Sequence, residues 1–264
     1  MECGQQQGDA AVRLTLSLCL ALAISACAPM AETGSAPAAS ADYAAALADP
    51  QRPAADRERD ALRHPAELLA FAQVDSGEKV GDYIMGGGYW TRILSNAVGP
   101  RGKVYAFQPA EFIGFRPAYA EEQDAAVAGR ANVVPLRGPI AAPGFPEPLD
   151  TLITVQNLHD LYLDPMPAGT ASRAIAALYA ALKPGGTLVV VDHSAAANSG
   201  TSAANTLHRI DKQAAIAALT AAGFVLEAES SLYAQPADPR TANVFAPEIR
   251  GKTDQFVLRF RKPG

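Results

Sequence analysis

The segment Asn157-Leu-His159-Asp160 holds side chains that can move protons, and it directly follows an apolar run. A histidine with an unperturbed pKa of about 6.5 can act as a general base near neutral pH. Asp160 could orient that histidine or accept a hydrogen bond from a substrate. The same segment could instead cap a turn, because Asn and Asp side chains often bind nearby backbone N–H groups. We predict His159 and Asp160 as catalytic residues, with capping as the alternative.

A wider set of polar residues could bind a metal ion. Asp192 and His193 follow another apolar run, and His208 lies in the polar stretch after it. With His159 and Asp160 they offer mixed nitrogen and oxygen ligands. No two of them have close ligand spacing such as His-x-x-x-His, and polar residues often gather at strand ends without a ligand. The sequence alone therefore predicts no metal ligand.

Three consecutive glycines, Gly86 to Gly88, separate a β-prone run at 79–84 from a helical pattern that begins at Tyr89. Open α/β sheets use a strand, a glycine turn and a helix to bring backbone N–H groups against a polar ligand. Glycine suits such a turn because it has no Cβ to block the ligand and it accepts positive φ. Such a motif is weak evidence alone, so the surrounding elements decide its weight.

The chain alternates apolar runs with helical patterns, which predicts one doubly wound α/β sheet. The predicted strands cover 79–84, 103–107, 132–136, 149–156, 187–191, 224–233 and 255–261. The predicted helices cover 56–72, 89–98, 112–127, 171–182 and 212–222, the last with Asp211 as its N-cap. The last two strands could pair as an antiparallel hairpin with a long connection.

Several segments, together with this order of elements, carry a family resemblance. The segments Ala181-Leu-Lys-Pro-Gly-Gly-Thr-Leu-Val-Val-Val-Asp192 and Ala221-Ala-Gly-Phe224 resemble those of class I S-adenosylmethionine-dependent methyltransferases. The segments 86–91, 157–160 and 243–254 are similar to those of exported bacterial proteins described as predicted methyltransferases. The resemblance covers about residues 56–262 and implies a Rossmann-like, mostly parallel seven-stranded sheet with an antiparallel last strand.

The resemblance implies methyl transfer from S-adenosylmethionine to an unknown small molecule or protein side chain. The cofactor would lie across the carboxyl ends of strands one, two and four, where open α/β sheets bind ligands. The alternative is a non-catalytic envelope lipoprotein that uses the same scaffold to bind a ligand or a partner. The predicted cofactor contacts are Asp82, Gly86, Gly87, Gly88, Gln108, Glu111 and Asn157.

Two positions depart from the family pattern. In the motif acidic-x-Gly-x-Gly-x-Gly, Asp82 supplies the acid, but Ile84 stands where the first glycine is expected. At the end of strand two the family has Asp or Glu for the ribose hydroxyls, and this chain has Gln108. A Gln carbonyl can accept a hydrogen bond without the charge that strengthens it. Glu111 could substitute from the start of the next helix.

The N-terminal residues predict export. The apolar run 14–26 follows Arg13 and suits a secretory signal, being too short to span a bilayer. The residues Leu22-Ala-Ile-Ser-Ala-Cys27 resemble a lipobox, which predicts a lipoprotein signal peptide over 1–27 and a periplasmic domain. An ordinary signal peptide or an uncleaved anchor is the alternative. Residues 28–55, rich in Ala, Pro and Ser, predict a flexible tether before a domain at 56–264.

Composition limits the partners. The cysteines Cys3, Cys19 and Cys27 all lie in or next to the leader, so a mature chain has no intramolecular disulfide. The net charge of −5 gives no basic footprint, so nucleic acid is not an expected partner. The expected partners are the cofactor and its acceptor, with membrane contact only through the N-terminal lipid. A later start at Met30 would give a leaderless cytosolic form.

Overall fold

Seven strands form one sheet in the computed structural model, which describes residues 41–264. The strands are β1 Lys79–Tyr83, β2 Lys103–Pro109, β3 Val133–Gly138, β4 Leu149–Val155, β5 Leu182–His193, β6 Val225–Ser230 and β7 Gln255–Arg261. Their order is β3-β2-β1-β4-β5-β7-β6, and β7 runs antiparallel to both of its neighbours while the other pairs are parallel. The predicted doubly wound, mostly parallel sheet with an antiparallel last strand is confirmed.

Helices cover both faces of this sheet. They are α1 Tyr43–Leu47, α2 Ala54–Arg57, α3 Asp60–Arg63, α4 Pro65–Ala72, α5 Tyr89–Val98, α6 Ala110–Phe115, α7 Ala118–Val127, α8 Thr170–Ala181, α9 Ala204–Leu207 and α10 Lys212–Ala221. A short 3-10 helix, His159–Tyr162, follows β4. One apolar core lies between the sheet and α1, α4, α5 and α7, and a second lies between the sheet and α8 and α10. Asp211 caps α10 as predicted, since its side chain accepts from the Gln213 N–H group.

The central strands are apolar on both faces because both faces are covered. Leu188, Val189, Val190 and Val191 of β5 are all inaccessible to solvent, with alternate side chains in the two cores. Parallel strands of this kind are expected as continuous apolar runs. The carboxyl ends of β1, β2, β4 and β5 consequently meet at one edge of the sheet.

Prolines change two of the predicted helices. The prediction of a single helix over 56–72 is wrong, because α2, α3 and α4 cover this range. His64, with a left-handed φ of 38°, and Pro65 separate α3 from α4. A residue before proline avoids the right-handed helical region, so the helix cannot continue through it. Pro117 likewise divides the segment 112–127 into α6 and α7. The predicted helix at 89–98 is confirmed in full by α5.

Part of the predicted tether belongs to the folded domain. The Tyr43 hydroxyl donates to the carbonyls of Leu69 and Val74, at 3.2 and 2.8 Å. Arg52 is 1% exposed and forms an ion pair with Asp60 at 2.6 Å. These anchors fix residues 41–55 despite their Ala and Pro content, so the domain starts before residue 56. The rest of the tether and the signal peptide with Cys27 lie outside the described residues.

The long connection between β6 and β7 is fastened to the sheet by a buried ion pair. Arg209 and Asp238, both with fully buried side chains, lie 2.8 Å apart. Arg209 also donates to the carbonyls of Ser194 and Ala242. This holds the connection against the carboxyl end of β5. Across residues 41–264, no helix combines the length and apolarity that crossing a bilayer requires.

Candidate functional site

A cavity of about 950 Å³ opens at the carboxyl edge of the sheet. Its wall is formed by the glycine turn after β1, the segment after β4, the start of α6 and the β6–β7 connection. The predicted site residues in this wall are Asp82, Gly86, Gly87, Glu111, Asn157, His159 and Asp160. Two predicted cofactor contacts, Gly88 and Gln108, are not part of it.

The glycine turn offers unpaired donors to the cavity. Gly86 has a φ of 53°, and a Cβ added there would meet no atom within 4 Å. Within residues 41–264, the N–H groups of Gly86 and Gly87 have no hydrogen-bond acceptor. Gly88 has a packing role instead, since an added Cβ would lie 2.3 Å from the Ala126 Cβ of α7. The turn thus combines an open polar face with close helix contact behind it.

Ile84 has a left-handed backbone conformation of the kind that glycine favours. Its φ is 64°, a left-handed value that is strained for a β-branched residue. The side chain is 3% exposed and lies in the second core with Leu158 and Leu161, while part of it lines the cavity. Its carbonyl accepts a hydrogen bond of 3.0 Å from the Asn157 side-chain amide. A buried side chain thus occupies one side of the turn.

Gln108 lies beyond the cavity wall. The residue is inaccessible to solvent, and neither Oε1 nor Nε2 has a partner among the described residues. An unsatisfied buried amide is costly, so this position calls for a partner. Glu111, three residues later, does line the cavity and accepts a bond of 2.9 Å from the Ile140 N–H group. Of the two side chains predicted near a ribose, only Glu111 reaches the cavity directly.

Asp82 joins the start of α5 to the end of β1. It is nearly inaccessible, and its Oδ2 accepts a bond of 2.6 Å from the Thr91 hydroxyl. Burial raises the pKa of Asp82 to about 6, against the effect of the Thr91 hydrogen bonds. Its place in the cavity wall fits the predicted acidic position of the glycine motif.

His159 lies between two carboxylates. Its Nδ1 is 2.7 Å from Asp192 Oδ1, and its Nε2 is 3.2 Å from Asp160 Oδ1. Burial lowers the pKa of His159, but the two carboxylates outweigh burial and raise that pKa to about 9. Burial raises the pKa of Asp160 to about 6. At neutral pH the imidazole therefore holds its proton, and Asp160 is the group that is free to accept one.

The capping alternative for this segment is wrong. The 3-10 helix begins after Leu158 and has no side-chain cap. The Asn157 amide instead donates to the carbonyls of Ile84 and Val155, at 3.0 and 2.8 Å. It therefore joins the ends of β1 and β4 at the floor of the cavity.

The other two histidines behave differently from each other. His193 Nδ1 lies 2.9 Å from the Thr253 hydroxyl, and burial lowers the pKa of His193 to about 4. The His208 ring lies edge-on to His159, with 5.5 Å between ring centroids. Potential ligand atoms of His159, Asp160 and His208 all lie within 4.8 Å of one another. The sequence predicted no metal ligand, and the fold brings these three side chains to one point.

Sequence reasoning missed two arginines in the cavity wall. Arg59 and Arg63 lie over the Tyr89 ring, with their guanidinium carbons 5.1 and 4.6 Å from its centroid. Burial and the neighbouring Arg59 lower the pKa of Arg63. The only sequence signal was a run of charges near residue 60, which usually marks a solvated helix face. The position of both arginines in the cavity wall depends on how α3 packs against α5.

Solved structures share this architecture. A SAM-dependent methyltransferase from Aquifex aeolicus is 20% identical with a TM-score of 0.55, over 78% of this chain and 93% of that chain. The N-methyltransferase NodS from Bradyrhizobium japonicum is 16% identical with a TM-score of 0.51, over 78% and 97%. The chain has the methyltransferase fold. The [4+2]-cyclase SpnF has it too, at 18% identity and a TM-score of 0.52 over 77% and 81%. No protein-family model and no curated protein matches the sequence.

The methyltransferase fold locates a ligand at the carboxyl edge of the sheet, where the cavity lies. A shared fold does not fix the reaction, as the cyclase illustrates. The reaction must therefore be argued from the side chains in the cavity.

Proposed function

We propose that this protein transfers a methyl group from S-adenosylmethionine to an acceptor bound beside His159 and Asp160. One observation carries the proposal. The open glycine turn, with its unpaired Gly86 and Gly87 donors, faces the same cavity as the buried His159–Asp160 pair. A donor site and a proton-accepting site in one cavity suit a group transfer between two bound molecules.

The residues present fit the cofactor in most respects. The cavity lies within the range of about 300–1,000 Å³ that ligand pockets occupy. Gly86 and Gly87 would hold the cofactor through backbone N–H groups, and Glu111 offers a carboxylate to hydroxyl groups. The unpartnered amide of Gln108 lies outside the cavity wall, so this side chain is not among the groups that would hold the cofactor. Ile84 narrows the turn on the side where the family has glycine.

S-adenosylmethionine supplies an electrophilic methyl group when it is bound. The protein's contribution is to align the acceptor and to take its proton. Because His159 is protonated at neutral pH, Asp160 is the proposed base in the metal-free protein. His159, held by Asp192 at 2.7 Å, fixes the Asp160 carboxylate in place. His159 and Asp160 are thus still proposed as the catalytic pair, but Asp160 is the base and His159 is the orienting group.

Formation of S-adenosylhomocysteine in the presence of a panel of phenols, amines and thiols tests the reaction. We expect turnover with at least one acceptor class and a fall of about 10²-fold in kcat for Asp160→Asn. Affinity for S-adenosylmethionine should stay within twofold of the wild type, because Asp160 acts on the acceptor. Equal turnover by wild type and Asp160→Asn would contradict the assignment of the base.

We further propose that the protein is anchored at the bacterial envelope by lipid on Cys27. The support is the lipobox resemblance of residues 22–27. Mass analysis of the mature N-terminus in the native host tests this. A lipidated Cys27 is the expected result, and a chain that starts at Met30 would contradict export.

Export favours the second candidate function, a non-catalytic lipoprotein that binds an envelope ligand on the methyltransferase scaffold. S-adenosylmethionine is made in the cytosol, so an exported enzyme would need a supply. Two features support this candidate: the Ile84 side chain at the glycine turn, and the uncharged Gln108 at the end of β2. A folded protein that does not bind S-adenosylmethionine is the result that selects it.

A further inference from the structure

We propose that His159, Asp160 and His208 bind a zinc-like divalent cation in the cavity wall. Two imidazoles and one carboxylate suit Zn²⁺, Fe²⁺ or Co²⁺, whereas Mg²⁺ and Ca²⁺ prefer sites made of oxygen atoms. The three side chains come from two elements, the 3-10 helix after β4 and the residue that ends α9. The site itself does not depend on the proposed methyl transfer.

The spacing of the ligand atoms fits a metal ion. His159 Nε2 and Asp160 Oδ1 are 3.2 Å apart, close to the roughly 3.3 Å expected between ligands of a tetrahedral ion with bonds of about 2.0–2.1 Å. A potential ligand atom of His208 lies within 4.8 Å of both. His208 is half-buried, so its ring is less tightly enclosed than that of His159.

Asp192 supplies the support that a metal-binding histidine needs. Such a histidine usually donates its second ring nitrogen to a carboxylate, which fixes the ring and its tautomer. His159 Nδ1 lies 2.7 Å from the fully buried Asp192, and the His159 backbone N–H group donates to the other oxygen of that carboxylate. With the proton on Nδ1, the lone pair of Nε2 is directed toward Asp160 and His208. This contact is independent of the ligand spacing.

The charge of the cluster favours a cation over a simple ion pair. Asp160 and Asp192 place two carboxylates around one imidazole in a buried site. A divalent ion with neutral histidines cancels both charges. A His159–Asp160 ion pair alone also gives no role to His208, whose ring faces His159.

Three protein ligands leave a coordination position open, and all three side chains line the cavity. An acceptor oxygen or sulfur bound there would become more acidic and release its proton to water. In the metal-loaded protein the cation thus takes over the activation assigned to Asp160 in the metal-free protein. Only this consequence rests on the proposed function. It restricts the acceptor to molecules with a hydroxyl, thiol or similar ligand group.

The test is titration of the chelator-treated full chain with Zn²⁺ by calorimetry and with Co²⁺ by visible absorption, without S-adenosylmethionine. Thiols are zinc ligands in general, so those of Cys3, Cys19 and Cys27 are alkylated first. We expect one ion per chain and the intense absorption of four-coordinate Co²⁺. His208→Ala should weaken binding at least 10-fold, and Asp192→Asn should weaken it about 10- to 100-fold.

His64→Ala is the matched control, because His64 is half-exposed beside Glu67 and outside the cavity. It should bind both ions like the wild type. The half-buried position of His208 lets His208→Ala fold, which thermal unfolding would verify. No Co²⁺ absorption in the wild type, or equal binding by His208→Ala, would overturn the site. Either result leaves the affinity for S-adenosylmethionine to be measured separately.

Discussion

Gln108 is buried with an unsatisfied side-chain amide outside the cavity wall, so replacing it should change folding stability without changing ligand binding. We predict that Gln108→Leu raises the free energy of unfolding by about 1–2 kcal/mol, because leaving a buried polar group unpaired carries that cost. The same change should leave S-adenosylmethionine binding within twofold of the wild type, because Gln108 does not line the cavity. Urea unfolding and calorimetry measure the two effects.

Gln123 provides the matched control for this prediction. It is equally buried, but its Nε2 donates to the carbonyls of Ala106 and Leu136, and its Oε1 accepts from Arg137 at 2.5 Å. Gln123→Leu should therefore lower the free energy of unfolding by about 1–3 kcal/mol. If Gln108→Leu and Gln123→Leu both lower the free energy of unfolding, the Gln108 side-chain amide has hydrogen-bond partners in solution.

Ile84 combines a strained backbone with a buried side chain. Glycine would relieve a strain of about 1 kcal/mol but would leave an apolar gap costing about 2–5 kcal/mol. We therefore expect Ile84→Gly to lower the free energy of unfolding by about 1–4 kcal/mol while widening the cavity and strengthening S-adenosylmethionine binding. A weaker affinity in a folded Ile84→Gly protein would argue against Ile84 as the obstruction.

At the scale of elements, the contact between α5 and α7 depends on Gly88. An alanine there would place its Cβ 2.3 Å from the Ala126 Cβ and 2.9 Å from the Arg92 Nη1. We predict that Gly88→Ala lowers the free energy of unfolding by about 2–4 kcal/mol, since both steric overlap and positive φ oppose it. Gly129→Ala, with a φ of 74° and no neighbour within 4 Å, should cost only about 1 kcal/mol by urea unfolding.

The sequence predicted whether a segment is a strand or a helix where the pattern of apolar residues is continuous over that segment. The apolar run of β5 records its burial directly, and the helical pattern that begins at Tyr89 located α5. The breaks at His64 and Pro117 depend on local backbone limits that a hydrophobic pattern does not display. β5 also begins at Leu182 rather than Thr187, because Leu182 pairs with Leu149 of β4 and both Gly185 and Gly186 hydrogen-bond to Lys262, just after β7.

At the scale of the whole molecule, Glu78 couples stability to pH at the end of the sheet opposite the cavity. Burial, with help from Asp150 and Asp75, raises its pKa to about 7 from an ordinary 4.5. The folded state therefore binds the Glu78 proton more tightly than the unfolded state does. The stabilisation that this proton gives is full below pH 4.5 and is lost as pH rises through 7. We expect Glu78→Gln to be about 1 kcal/mol more stable than the wild type at pH 8 and nearly equal at pH 4.5, after allowance for solvent screening.

Thermal unfolding at both pH values measures this difference. Glu67→Gln, which removes an exposed carboxylate on α4, should show no comparable pH dependence. A Glu78→Gln gain of the same size at both pH values would mean that the Glu78 carboxylate is solvated.

The site was predictable to the extent that chain order determines it. Gly86, Asn157 and His159 follow parallel strands, and the carboxyl ends of such strands must share one edge. His208, Arg59 and Arg63 reach the cavity through packing of short helices that do not follow a strand directly. Nor does the spacing of residues reveal that two carboxylates enclose His159 and raise its pKa.

Calorimetric titration of the purified protein with S-adenosylmethionine and S-adenosylhomocysteine tests the proposed cofactor site most directly. We predict micromolar binding of both that is lost in Gly86→Val and kept in Gly129→Val, because both glycines have positive φ and open surroundings but only Gly86 lines the cavity. Absence of binding to a folded wild-type protein, or equal loss in both variants, would contradict a cofactor site at the glycine turn.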